Sequence, residues 1–198
     1  MKEHRRIERM VALIDREARR LANDGSAEPD TQFIRDAVPF MREYADQCHH
    51  GKEEDILFAA LGERGISDEH QQILERLLDD HRRARELGAS LLDATQRWED
   101  GQEGARPQVV DALQSLAELY PEHIATEDQD FFIPVMDYLD EEEQREMMND
   151  MWDFDRELFA ARYEELLQQY EPESQAGQIR RSTNPCKDMR SRRTLRRW

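Results

Sequence analysis

Two short patterns in the 198-residue chain place a histidine and a glutamate four residues apart: His50 with Glu54, and His123 with Glu127. On a helix, such residues share a face, one turn above the other. Each pair runs on into apolar residues, Leu57 and Leu61 after the first and Phe131 after the second. The spacing therefore aims ionisable groups at a core, where leaving them bare is costly. A pair of metal ions removes that cost, because neutral imidazoles supply nitrogen ligands while two carboxylates bridge the ions and offset their charge. Two further histidines lie on apolar stripes: His4, three and seven residues before Ile7 and Val11, and His81, four and seven residues after Leu77 and Leu74. Four histidines and two glutamates around two ions leave coordination positions open, as binding or activating a small molecule such as dioxygen requires. Nitrogen and oxygen donors without thiolates suit iron, and also manganese or zinc.

Neighbouring residues offer competing readings. His49 and Glu53 form a second four-residue pair one position earlier, turned about 100° around the helix. Leu57 and Leu61 continue the stripe of His50 and Glu54, which favours that pair and leaves Glu53 as an outer partner. Asp128, five residues after His123, competes with Glu127, but a spacing of four repeats that of the second helix. His70 shares the stripe of Leu74, Leu77 and His81, yet it lies about 16 Å along the axis from His81, out of reach of the same ions. Tyr44 and Tyr120, one or two turns before ligand positions, read as core packing first and as hydrogen-bond donors or ligands second. Met147, Met148 and Met151 read as core filler rather than soft-metal ligands.

Helices must position these groups. A first runs from about Lys2 to Leu21, with Ile7, Val11 and Ile14 on one face. A second starts near Asp30 or Thr31, carries Pro39 as a kink or restart, and ends around Gly62 and Gly65. Ser67 is the N-cap of a third that ends near Gly101. Pro107 opens a fourth that runs through Phe131, with Pro121 able to bend it. Asp140 and Glu143 form a capping box for a fifth, reaching Tyr170.

The composition, 38% apolar and 37% charged with few Gly and Pro, favours long amphipathic helices, hence an all-α fold. One bundle over residues 1–170 is expected, followed by a tail over 171–198 that is disordered on its own. A net charge of −17 excludes a nucleic-acid-binding body, since phosphate contacts need clustered Lys and Arg. The segment from Arg180 to Trp198 reverses that sign, with eight Lys or Arg against one Asp. Without interleaved aromatics or amphipathic spacing, it is assigned no nucleic-acid role. No apolar run approaches the roughly 20 residues that span a bilayer, and the N-terminus lacks a signal-like apolar segment, so a cytoplasmic location is expected. Cys48 and Cys186 stand far apart with no CxxC partner, so neither a disulfide framework nor a thiolate zinc site is expected.

In order along the chain, EHRRIERM, CHHGKEEDILF, DDHRRAR and EHIATEDQDFFIP resemble the motifs of the hemerythrin-like, or HHE cation-binding, family, over roughly residues 2–170. The resemblance implies an antiparallel up-down four-helix bundle around a non-haem di-iron centre, here with an additional C-terminal helix and the basic tail. It implies His4, His50, Glu54, His81, His123 and Glu127 as ligands to two iron ions with an oxo or hydroxo bridge. Dioxygen, nitric oxide or peroxide would be the small-molecule ligand, bound for sensing, storage or delivery. The alternative is an oxidase, a peroxide reductase or an iron donor for repair of iron-sulfur centres. One departure stands out. Arg85 occupies the position four residues after His81 where oxygen carriers of the family have a second histidine, so the chain resembles the branch with one histidine fewer and a more open centre. Any protein partner of a sensor is not identified by the sequence.

Overall fold

The computed structural model describes residues 2–154, 164 and 166–171, and among them every regular element is helical, with no strand. The chain is an all-α helical bundle. Helix α1 (Lys2–Asn23) buries His4, Ile7, Val11, Ile14, Ala18 and Leu21, a stripe at spacings of three and four residues. Asp30 caps α2 (Thr31–Pro39) by accepting from the Phe33 N–H at 2.9 Å.

The second helix does not break at Pro39. Its backbone there is helical (φ −59, ψ −38), and it continues through wide, π-type turns over Phe40–His50 and Glu53–Phe58 into the short α3 (Ala59–Gly62). Pro39 has no N–H, and its ring crowds the carbonyl one turn earlier. The wide turns start at the next residue, the adjustment by which a helix passes such an obstacle.

Helix α4 (Asp68–Glu99) begins at Ser67, whose hydroxyl accepts from the His70 N–H at 3.2 Å. It is closed by Gly101 at φ 82, a left-handed conformation that glycine adopts without steric cost. Helix α5 (Arg106–Ala125) has Pro107 at its second position and passes through Pro121. It then widens over Thr126–Phe131 and runs into α6 (Phe132–Val135). The expected capping box starts α7 (Glu141–Phe154): the Glu143 N–H donates to Asp140 Oδ1 at 2.9 Å, and the Asp140 N–H to Glu143 Oε2 at 2.8 Å. Residues 166–170 are again helical, while 155–163 of the expected fifth helix and the basic tail beyond Glu171 lie outside the described residues.

Contacts between helix ends give the packing. His4, at the start of α1, meets Asp128 beyond the end of α5, and Arg106, at the start of α5, donates to the Leu21 carbonyl near the end of α1, so these two helices run antiparallel. Arg35 of α2 meets Glu99 at the end of α4, whereas Glu54, further along the second helix, meets Arg85 nearer the start of α4. That pair is antiparallel too. Arg76 of α4 reaches Glu122 of α5 at 2.6 Å.

Two apolar clusters form the core. One gathers Ile7, Met10, Ile14, Ile34, Phe40, Leu91, Leu113 and Leu116, and the other gathers Leu57, Leu61, Leu74, Leu77, Phe131, Val135 and Met147. Helix α7 joins the second cluster through Met147 and sets the Phe154 ring against Gly51, where an added side-chain carbon would come within 3.1 Å. Among the described residues no helix is long and apolar enough to cross a membrane.

Candidate metal centre

Buried polar side chains gather where α1, the second helix, α4 and α5 come together. His50, His81 and His123 make one cluster, and His4, His49, Glu53 and Glu127 make another, with the ligand-type atoms of each within 4.8 Å of one another. All seven residues are buried. The wide stretches carry much of the set: Phe40–His50 supplies His49 and His50, Glu53–Phe58 supplies Glu53, and Thr126–Phe131 supplies Glu127.

Both carboxylates straddle the clusters. Glu53 sets Oε1 at 3.3 Å from His49 Nε2 and Oε2 at 3.5 Å from His81 Nε2. Glu127 sets Oε2 at 3.2 Å from His4 Nε2 and Oε1 at 3.1 Å from His123 Nε2. Each thus places one oxygen against each cluster, which is how a bridging carboxylate spans two ions.

The histidines share a second feature. Every Nδ1 faces a carboxylate on the outer side: His4 faces Asp128 at 3.0 Å, His49 faces Glu3 at 2.9 Å and His81 faces Glu54 at 2.7 Å. His50 lies 3.4 Å from Asp46 and His123 lies 3.5 Å from Asp80. For His4, His49 and His81 an Nδ1–H donated outward fixes the tautomer and leaves Nε2 as an inward lone pair, the arrangement typical of metal-ligating histidine, while His50 and His123 lie against their carboxylates without a hydrogen bond. His4 and His49 then point two Nε2 acceptors at each other across 2.9 Å. A cation between them turns that repulsion into ligation.

Nine buried side-chain atoms make no hydrogen bond: both ring nitrogens of His50 and of His123, His81 Nε2, and all four carboxylate oxygens of Glu53 and Glu127. Some approach opposite charge closely, but without the alignment of a hydrogen bond. Each such atom carries a desolvation cost of about 1–3 kcal/mol or more. The electrostatics of the metal-free site reflect it. Burial pushes the Glu53 carboxyl well above the ordinary carboxylate range, and the adjacent Glu127 adds to that. Glu127 is also pushed up by burial, but the imidazoles of His123, His4 and His81 outweigh this and hold it well below that range. Burial, reinforced by His81, His49 and His123, drives His50 well below the usual imidazole range. His123 is lowered by burial but raised more by Asp80 and Glu127, to about 9. Five imidazoles and two carboxylates are a donor set that fits a pair of divalent first-row ions.

The sequence-expected ligands divide as follows. His4, His50, His81, His123 and Glu127 all come into the two clusters. Glu54 does not. Its carboxylate accepts from His81 Nδ1 and from Arg85 at 2.6 Å, on the outer side of the histidine layer. Glu53 takes the inner place, because the wide turns rotate the register that Leu57 and Leu61 would set on a regular helix. His49 enters beside His50. His49 brings the number of clustered imidazoles to five, while Arg85 stands at the position four residues after His81. The signal was present in the adjacency itself, as consecutive helical residues point about 100° apart and two neighbouring histidines enter two different clusters. Asp128 backs His4. Tyr44 accepts from Arg6 at 3.1 Å, and His70 meets the Tyr138 hydroxyl at 2.9 Å, away from both clusters. Tyr120 is buried, with its ring 6.3 Å from that of His50 and 6.2 Å from that of His123.

A family model described as the hemerythrin HHE cation-binding domain matches residues 1–133. The chain belongs to the hemerythrin HHE cation-binding family. That span takes in every clustered residue, and α7 lies past its end. Membership in the HHE family makes this a cation-binding protein by family, with two histidine and glutamate clusters able to hold the cation. Neither curated proteins nor solved structures gave a match.

Proposed function

We propose that this HHE protein holds two iron ions and binds dioxygen, or a related small molecule such as nitric oxide or peroxide, for sensing, storage or delivery. The observation that carries this reading is the unequal division of donors between the clusters. His50, His81 and His123, with one oxygen from each of Glu53 and Glu127, offer five donors to the first ion. His4 and His49, with the remaining oxygens, offer four to the second. Were iron held by both clusters, the smaller donor set around His4 and His49 would leave more room there for an exogenous ligand. Iron would supply a redox-active, Lewis-acidic centre. The protein's part would be to fix the tautomers of His4, His49 and His81 through the outer carboxylates, to offer Glu53 and Glu127 to both ions, and to keep bulk water away by burial. The acidic body has no role here for nucleic acid.

Anaerobically purified, iron-loaded protein tests this by optical spectroscopy during exposure to air or nitric oxide and after its removal. An absorption change that reverses on removal is the expected result. Irreversible oxidation with catalytic loss of added peroxide would instead support the enzymatic alternative, and no spectral response would contradict both.

A further inference from the structure

Arg85 lies on α4 one turn after His81, and its guanidinium reaches across to the second helix. Nε donates to Asp46 Oδ1 at 2.7 Å and Nη2 to Glu54 Oε1 at 2.6 Å. These carboxylates face His50 Nδ1 at 3.4 Å and His81 Nδ1 at 2.7 Å. The two imidazoles belong to the same three-histidine cluster and stack face to face, with ring centres 3.8 Å apart and planes 6° from parallel. Asp46 and Glu54 come from the two wide stretches on either side of Gly51 and Lys52. One arginine thus joins both stretches and holds the carboxylates that lie against two of the three imidazoles, Glu54 hydrogen-bonded to His81 and Asp46 in ionic approach to His50.

We propose that Arg85 is a positioning residue for the ion held by His50, His81 and His123, orienting two of its ligands at once by clamping Asp46 and Glu54. The inference rests on the two-ion reading above. The planar fork of arginine suits it to two carboxylates at fixed angles, whereas the point charge of lysine holds one at a time. Outer partners of metal-ligating histidines set ring orientation and donor strength. The other outer carboxylates are served separately, Asp128 by Arg5 at 3.1 Å and Glu3 by Lys52, so the clamp acts on one ion and not the other. The guanidinium is 40% exposed, so its replacement leaves the apolar clusters untouched.

Cobalt(II) titration of the metal-free full chain, followed by visible absorption, tests the clamp. Wild type should take up two ions per chain. Arg85→Met should bind one as before and weaken the other by roughly 10–100-fold, with loss of one set of cobalt bands. Arg85→Lys should fall between, and Arg82→Met, which removes a surface arginine paired with Asp79 on the same helix, should match wild type. Both ions bound by Arg85→Met with wild-type affinity would overturn the clamp while leaving the two-ion reading intact. Failure of wild type to bind two ions would overturn that reading and the clamp with it. Should Arg85→Met lose its helical circular dichroism, Arg85→Lys, which keeps the charge but not the fork, decides: selective weakening of the same ion supports the clamp, and two unchanged ions overturn it.

Discussion

His49 and His50 are adjacent in sequence, yet their side chains belong to different clusters, one with His4 and the glutamates and the other with His81 and His123. That division makes a residue-level prediction. His49→Ala should cost one ion far more than the roughly 10–100-fold typical of losing an outer partner, and should leave three imidazoles for the other. Metal titration with cobalt bands as the readout distinguishes this from equal weakening of both ions, which would contradict separate ownership. The side chains on regular helical stripes were legible in the sequence: His4, His81 and His123 follow from their spacing to apolar neighbours, and Glu127, just inside a wide stretch, from its spacing of four to His123. The choice between Glu53 and Glu54 was not. It was extrapolated back from Leu57 and Leu61 at about 3.6 residues per turn, and the intervening backbone is wider than that.

At the level of elements, the wide turns bring consecutive polar residues of the second helix into one buried layer. They begin beside Pro39, which the sequence marks as a kink or restart, and the helix continues past it in wider turns. Pro39→Ala restores a backbone donor and relieves the ring's crowding. It should stabilise the metal-free protein by about 1–3 kcal/mol. It should also weaken metal binding, because narrower turns rotate His49, His50 and Glu53 out of their present register. Thermal melts paired with metal titration check both halves, and unchanged affinity would show that the wide turns persist without the proline. Helix ends were readable in detail. Asp30, Ser67 and the pairing of Asp140 with Glu143 all cap helices as their sequence contexts indicated.

Over the whole molecule, a polar layer lies among apolar clusters that fix four helices around it, and the chain returns after α7 to lie on α1. Arg9 there donates to Glu164 at 2.9 Å and to Glu171 at 2.6 Å, and Tyr170 stacks edge-on with Phe33 at 4.9 Å. Burial pushes the Glu164 carboxyl up, but Arg9 and Gln168 outweigh it, and the net effect is below the ordinary value of 4.5. A depressed carboxylate contributes stability that is fully present above its unfolded value and lost as pH falls through its folded one. Acidification from about pH 5 downward should therefore loosen this return, and Arg9→Met should flatten that part of the stability profile followed by denaturant melts at successive pH values. A profile identical to wild type would contradict the sign. The all-α architecture was legible from composition and periodicity. How residues 166–171 dock was not, because it depends on contacts between residues more than 130 positions apart.

In the proposed site, Glu53 and Glu127 bridge two ions held by five histidines, with Glu54 outside them. Anaerobic titration of iron(II) into the metal-free chain, with iron counted per chain in wild type, Glu53→Gln and Glu54→Gln, tests this arrangement most directly. Two irons are expected in wild type, loss of at least one in Glu53→Gln, and two in Glu54→Gln, one of them weaker. Two tightly held irons in Glu53→Gln, with binding abolished in Glu54→Gln, would contradict it.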